Sequence, residues 1–145
     1  MKCQLSFTLA LVVSAFGLFS SSAIAGGADL SSCPSKDFPA FLAAYLENSS
    51  VQQKFTHTPL KKLITVDAEP EPEQKIVLLE KQQLNYPIVP GKEKRTADGV
   101  EVEVLEVSSD TAKVKIEKPD TDYQVVYTFK FETCWFLDEV QDYSL

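Results

Sequence analysis

The sequence has few of the residues from which catalytic and metal sites are usually assembled. In 145 residues it holds one histidine, His57, with three cysteines, one methionine and five glycines. One histidine and the two cysteines beyond Cys3 cannot supply the four protein ligands of a structural zinc site. Asp37, Glu47, Asp67, Glu69, Glu71 and Glu73 follow no ligand spacing, and the Glu-Pro alternation at 69–73 lacks the glycine turn of a calcium loop. Serine-elbow, phosphate-loop and dinucleotide signatures are all missing. Gly26, Gly27, Gly91 and Gly99 do not sit between a strand and a helix, and no C-x-x-C redox pair occurs. No cofactor and no metal is therefore expected.

Basic charge is also scarce. Lysine and arginine number 14 against 21 acids, a formal net charge of −7. That balance disfavours nucleic acid and anionic membrane surfaces as partners. It suits a solvated surface or a basic protein partner.

A long uninterrupted apolar span is missing too, but the first 25 residues have the three parts of a secretory leader. Lys2 is followed by an uncharged run from Leu5 to Phe19, then by the small-x-small site Ala23-Ile24-Ala25. The run is shorter than the ~20 residues a transmembrane helix needs, so no membrane span is expected after cleavage. Residues 1–25 read as a signal peptide, 26–33 as a flexible lead-in and 34–145 as one domain, in a periplasmic or secreted protein. Leu30-Ser31-Ser32-Cys33 keeps open a lipoprotein anchored at Cys33. Cleavage removes Cys3, leaving Cys33 and Cys134 to form one bridge in an oxidising compartment or to stay as two thiols. Lipidation of Cys33 would exclude the bridge.

Within the domain, Phe38, Phe41, Leu42, Tyr45 and Leu46 recur at helical spacing, which predicts a helix over 34–48 with Ser35 as its cap. A second short helix is expected over Val51–Phe55, ended before Thr58-Pro59. A strand follows at Leu60–Val66, and Ile76–Leu84 reads as a strand in preference to a short helix, with a proline-broken loop at 69–73 between them. Residues 85–91 read as loop, and 92–98 as polar and exposed. The clearest pattern is C-terminal. Val100, Val102 and Val104 alternate with acids; Ala112, Val114 and Ile116 with Lys113 and Lys115; Val125, Tyr127, Phe129 and Phe131 with polar or smaller residues. Trp135, Leu137 and Val140 close the series. Four antiparallel strands with one apolar face, covered by N-terminal helices, give an α+β fold. Glu103 is placed to pair with Lys113 or Lys115 across the first hairpin.

The last strand carries Trp135, Leu137, Val140, Asp142 and Ser144, similar to the W-x-L-x-x-V-x-D-x-S endings of the nuclear-transport-factor-two-like, or cystatin-like cone, superfamily. The opening Asp37-Phe38-Pro39-Ala40-Phe41, followed by Val51-Gln52-Gln53-Lys54-Phe55 and Pro59-Leu60, resembles a secreted bacterial domain family of unknown function within it. Lys54 stands where that pattern has arginine. The resemblance covers roughly residues 33–145. It implies a cone of helices packed on a strongly curved antiparallel sheet.

Three functions fit. The first is a non-catalytic binding module, using either a small-ligand cavity or a protein-interaction surface. Tyr45, Tyr86 and Tyr127 are the aromatic residues whose hydroxyls would orient a ligand. The second is an immunity or inhibitor protein against a periplasmic toxin, drawn to a cationic partner by the negative charge. The third is a small isomerase or hydrolase with His57 as general base, since histidine titrates near working pH unaided. Val126 and Phe136 make the outer sheet face a candidate homodimer surface.

Overall fold

The computed structural model describes residues 32–144. The leader and nearly all of the lead-in fall outside that range. The first helix, α1 (Phe38–Glu47), begins at Asp37, whose carboxylate accepts the Ala40 amide at 3.2 Å. Ser35 lies two residues earlier; its hydroxyl accepts the Asp37 amide and so positions the cap rather than being it. Asn48 then serves two helices. Its extended backbone ends α1, and its side-chain oxygen accepts the Ser50 and Val51 amides to start α2 (Ser49–Lys54).

Strand β1 (Thr56–Val66) follows at once, so the chain is already in the sheet at His57, ahead of Pro59. Next come β2 (Glu73–Leu79), a 3-10 turn at Lys81–Gln83 and α3 (Lys92–Asp98). α3 ends on Gly99, whose φ of 67° is the left-handed conformation that suits glycine. The meander is β3 (Glu101–Val107), β4 (Thr111–Glu117), β5 (Gln124–Phe131) and β6 (Trp135–Asp142). All six strands form one sheet in the order β2-β1-β6-β5-β4-β3, antiparallel except where β1 meets β6. Register shifts occur in the β1–β6 pairing between Thr56 and Lys61, in β5–β6 between Thr128 and Phe129, and in β3–β4 between Val104 and Glu106. Shifts of this kind bend and twist a sheet.

α1 packs on the inner face of that sheet. Phe38 meets Phe129 and Trp135 edge-on, with ring centroids 5.4 and 4.9 Å away, and Tyr45 meets Phe129 at 5.2 Å. Such pairs add to the gain from burying the rings. The Trp135 indole N–H donates to the Lys36 carbonyl at 2.8 Å, and Cys33 is bridged to Cys134. The chain entering α1 is thus fastened to the start of β6.

The outer face carries ion pairs in place of a second layer. Lys115 reaches Glu103 at 2.7 Å and Glu117 at 2.9 Å, and Lys113 reaches Glu106 at 3.3 Å. Val126 is buried on this face and Phe136 is half-buried. Among the described residues, no helix is long and apolar enough to cross a membrane.

Candidate functional site

Between the inner face of the sheet and the 79–88 segment lies a cavity of about 380 Å³. Leu60, Leu79, Leu84, Ile88, Val125 and Val140 form its apolar wall. Lys62, Gln83, Asn85, Tyr123, Tyr127 and Asp142 bring polar groups to it.

Gln52 positions the loop side of the wall. Its side chain is fully buried in α2 and grips Val89 from both sides: the amide nitrogen donates to the Val89 carbonyl at 2.8 Å, and the amide oxygen accepts the Val89 N–H at 3.0 Å. A side chain thereby stands in for a neighbouring strand and holds the loop carrying Leu84, Pro87 and Ile88. Arg95 secures the following turn, donating to the Pro90 carbonyl at 2.6 Å and to Glu47 at 2.8 Å. The bond from Arg95, helped by the Lys92 amide, holds the Glu47 carboxyl below the usual range.

The sequence candidates separate into three places. Tyr127 is 4% exposed and lines the cavity. Its hydroxyl has no hydrogen-bond partner among the described residues. Every fully buried side-chain polar atom described does have one, so this hydroxyl meets the open cavity. Burial raises the Tyr127 pKa, and the nearby Asp142 charge adds to the effect, so the phenol is a proton donor at neutral pH.

Tyr45 lies in the core. The Thr56 hydroxyl donates to the Gln52 carbonyl at 2.7 Å, so the Tyr45 hydroxyl is the donor in its own 2.7 Å contact with Thr56. Burial pushes its pKa well up, against the opposing pull of the Thr56 bond. Tyr86 is half-buried and also turns toward Thr56. Tyr45 and Tyr86 therefore meet at Thr56, while Tyr127 stands at the cavity.

His57 is on the outer face. Its ring stacks on Phe136, with 5.0 Å between centroids and an angle of 11°. Nδ1 is 3.1 Å from Asp138 and Nε2 is 3.4 Å from Glu132. Both nitrogens face carboxylates, and His57 does not line the cavity. Asp138 is the hub of this group, with Lys130 at 3.0 Å and Lys61 at 3.5 Å. Burial works to raise the Asp138 pKa, but the bonds from Lys130 and His57 and the two lysine charges outweigh it, and the net shift is downward.

A carboxyl with a depressed folded pKa contributes stability above its unfolded value, roughly 3.9, and loses it as pH falls through the folded value. Asp138→Asn is accordingly expected to cost about 1–2 kcal/mol at pH 7. In urea titrations the variant and the parent should converge as the pH is lowered below 4. A constant gap across that range would assign the loss to packing instead.

Sequence inspection does not single out Lys62, and Asp142 enters there only as part of the strand-ending motif, not as a site residue. Both sit at inward positions of apolar stripes, Leu60-x-Lys62-x-Ile64 and Val140-x-Asp142. A charge at an apolar parity position in a strand that is not at a sheet edge is the signal that points to them.

Helices on a bent six-stranded mixed sheet, with a cavity at the inner face, make this an NTF2-like α+β fold. The chain is similar in structure to an NTF2-like protein from Bacteroides fragilis, with a TM-score of 0.55 and 14% sequence identity. That match covers 75% of this chain and 47% of the other, so the chain spans about half the length of that protein. No family model and no curated protein matches the sequence.

Proposed function

We propose that the protein is an exported, non-catalytic binding module that takes a small, largely apolar ligand in the inner-face cavity. The observation that carries this reading is the Tyr127 hydroxyl, a protonated donor with no hydrogen-bond partner among the described residues, in a cavity where leucine, isoleucine and valine side chains face a comparable number of polar and charged ones. Ligand sites commonly combine a preformed cleft of a few hundred Å³, apolar contacts and polar groups that orient the ligand. The leader-like first 25 residues and the Cys33–Cys134 bridge support export. His57 takes no part, because its ring is engaged on the opposite face of the sheet.

The test fills the cavity without disturbing the core. Leu84 is half-buried on the loop side of the wall, so Leu84→Trp has room to turn its ring inward. The variant should keep the melting temperature of the parent and lose the stabilisation given by small-molecule ligands. If ligands stabilise both proteins equally, binding is elsewhere. A basic protein that binds and protects the acidic surface while no small molecule does would favour the inhibitor function instead.

A further inference from the structure

We propose that the cavity recognises the zwitterionic head of a free apolar α-amino acid, with Lys62 taking its carboxylate and Asp142 its ammonium. The inference rests on the ligand-cavity reading above and assigns the chemistry of the ligand.

Lys62 is opposite Val140 on β6 and opposite Val77 on β2, and Asp142 is opposite Val125 on β5. Inward charges are sometimes explained as protection of an exposed sheet edge. Here β1 and β6 both lie inside the sheet, so that explanation fails. The two charged groups interrupt apolar stripes where they face the cavity.

The pair also has unused capacity: the Lys62 ammonium has three donors, and its ion-pair contact among the described residues is a single Asp142 oxygen at 3.5 Å. That separation is longer than a charge-assisted hydrogen bond, usually about 2.7–2.9 Å. Ion pairs elsewhere in this fold range from 2.7 Å for Lys115–Glu103 to 3.5 Å for Lys61–Asp138 and 3.8 Å for Lys75–Glu73, so Lys62–Asp142 is among the longer ones. The other Asp142 oxygen accepts the Ser144 amide at 3.2 Å. Both side chains remain about one-third exposed, at 35% and 31%. The pair is loose and open to a ligand.

An α-amino acid is complementary to this pair, because its ammonium and carboxylate are attached to one carbon and stand side by side as the Lys62 and Asp142 head groups do. Laid antiparallel to that pair, it brings each charge against its opposite, and the assembly stays neutral. A ligand with one charge competes for one member of the pair and forgoes the charge-assisted bond to the other, which is left to solvent. The ligand side chain then rests on Leu60, Leu79, Val125 and Val140. The cavity volume suits one such molecule.

The experiment is calorimetric titration, with parallel amide-resolved NMR, of the full disulfide-bonded domain. The probes are L-leucine, 4-methylpentanoate, 3-methylbutylamine and 4-methylpentan-1-ol. L-leucine should bind at least about tenfold more tightly than either single-charge analogue. Lys62→Met should remove its advantage over the amine, and Asp142→Asn its advantage over the acid. If either variant fails to fold, the four-probe ranking on the parent protein decides alone. Equal or tighter binding of a single-charge analogue or the alcohol, with shifts at cavity amides, overturns the zwitterion assignment and leaves the cavity reading standing. If none of the four shifts a cavity amide, the zwitterion assignment fails; if a wider set of apolar fragments also leaves those amides unmoved, the cavity reading fails with it.

Discussion

Removing the Cys33–Cys134 bridge should lower the stability of the domain by several kcal/mol. The bridge joins residues 101 apart in sequence and so closes almost the whole folded chain into one loop. On the chain-entropy account, a loop of about 100 residues restricts the unfolded state by roughly 4–5 kcal/mol, and measured values tend to be lower. The local setting adds to this. Cys134 is buried beside Trp135, and the Lys36 carbonyl that receives the Trp135 indole N–H lies just beyond Cys33. Releasing Cys33 frees the entry to α1 and loosens Phe38 from Trp135 and Phe129. Cys33→Ser is therefore expected to lower the urea midpoint strongly, with a loss of about 2–5 kcal/mol. The parent under reducing conditions should match it. If reduction leaves the midpoint unchanged, the bridge does not form in the purified protein. Intact-mass analysis of exported material, alkylated before and after reduction, would show the same directly.

The second large effect is predicted at Gln52. Replacing it with leucine preserves the apolar volume but strips two bonds from Val89, whose own side chain is 1% exposed. The Val89 N–H and C=O would each be left without a partner in a buried place, at about 1–3 kcal/mol apiece. Gln52→Leu should thus cost about 2–4 kcal/mol. Gln52→Glu is a sharper version, because it keeps the acceptor for the N–H and sets a carboxylate against the carbonyl. The effect should also reach function. The loop held by this clamp carries Leu84, Pro87 and Ile88 of the cavity wall, so ligand affinity should fall even where the variant remains folded. A Gln52→Leu protein with parental stability would mean that water or a shifted loop satisfies Val89.

The sequence-based expectations and the structure agree where patterning is strong. β4 alternates cleanly, and the inward residues of β4 and β5, Ala112, Val114, Ile116, Val125, Tyr127 and Phe129, are all buried; Val126 on the outer face of β5 is buried with them. The expected Glu103–Lys115 pair is present across the hairpin. Residues whose role is to fasten one segment to another were harder to read. Asp37, Gln52 and Trp135 belong to the motifs behind the family resemblance, yet their jobs (helix cap, loop clamp and anchor for residue 36) depend on partners distant in the fold or on backbone geometry. Local pattern hid two further features. Pro59 suggested a break, so β1 was expected to begin at Leu60, whereas the strand starts at Thr56. α3 was read as exposed polar chain because Lys92–Asp98 has no apolar stripe; its one buried side chain is Arg95, held by Pro90 and Glu47. The following Gly99 was the available sign of a helix end.

The candidate site was legible in part. Tyr127 is one of three candidates among the five tyrosines, but nothing local distinguishes it from Tyr45, which the fold places against Thr56. That difference arises only when α1 covers one stretch of β5 and leaves the next facing a cavity. Lys62 and Asp142 come from strands almost eighty residues apart that meet through the parallel β1–β6 pairing, a contact no short-range pattern encodes.

The most direct measurement is the amide spectrum of the isotope-labelled domain, titrated with apolar fragments and with L-leucine, for the parent and for Leu84→Trp. The account predicts shifts that converge on Leu60, Lys62, Leu84, Ile88, Tyr127 and Val140 in the parent and vanish in the variant. Shifts centred instead on His57, Val126 and Phe136, and unchanged by Leu84→Trp, would contradict it by placing the binding surface on the outer face of the sheet.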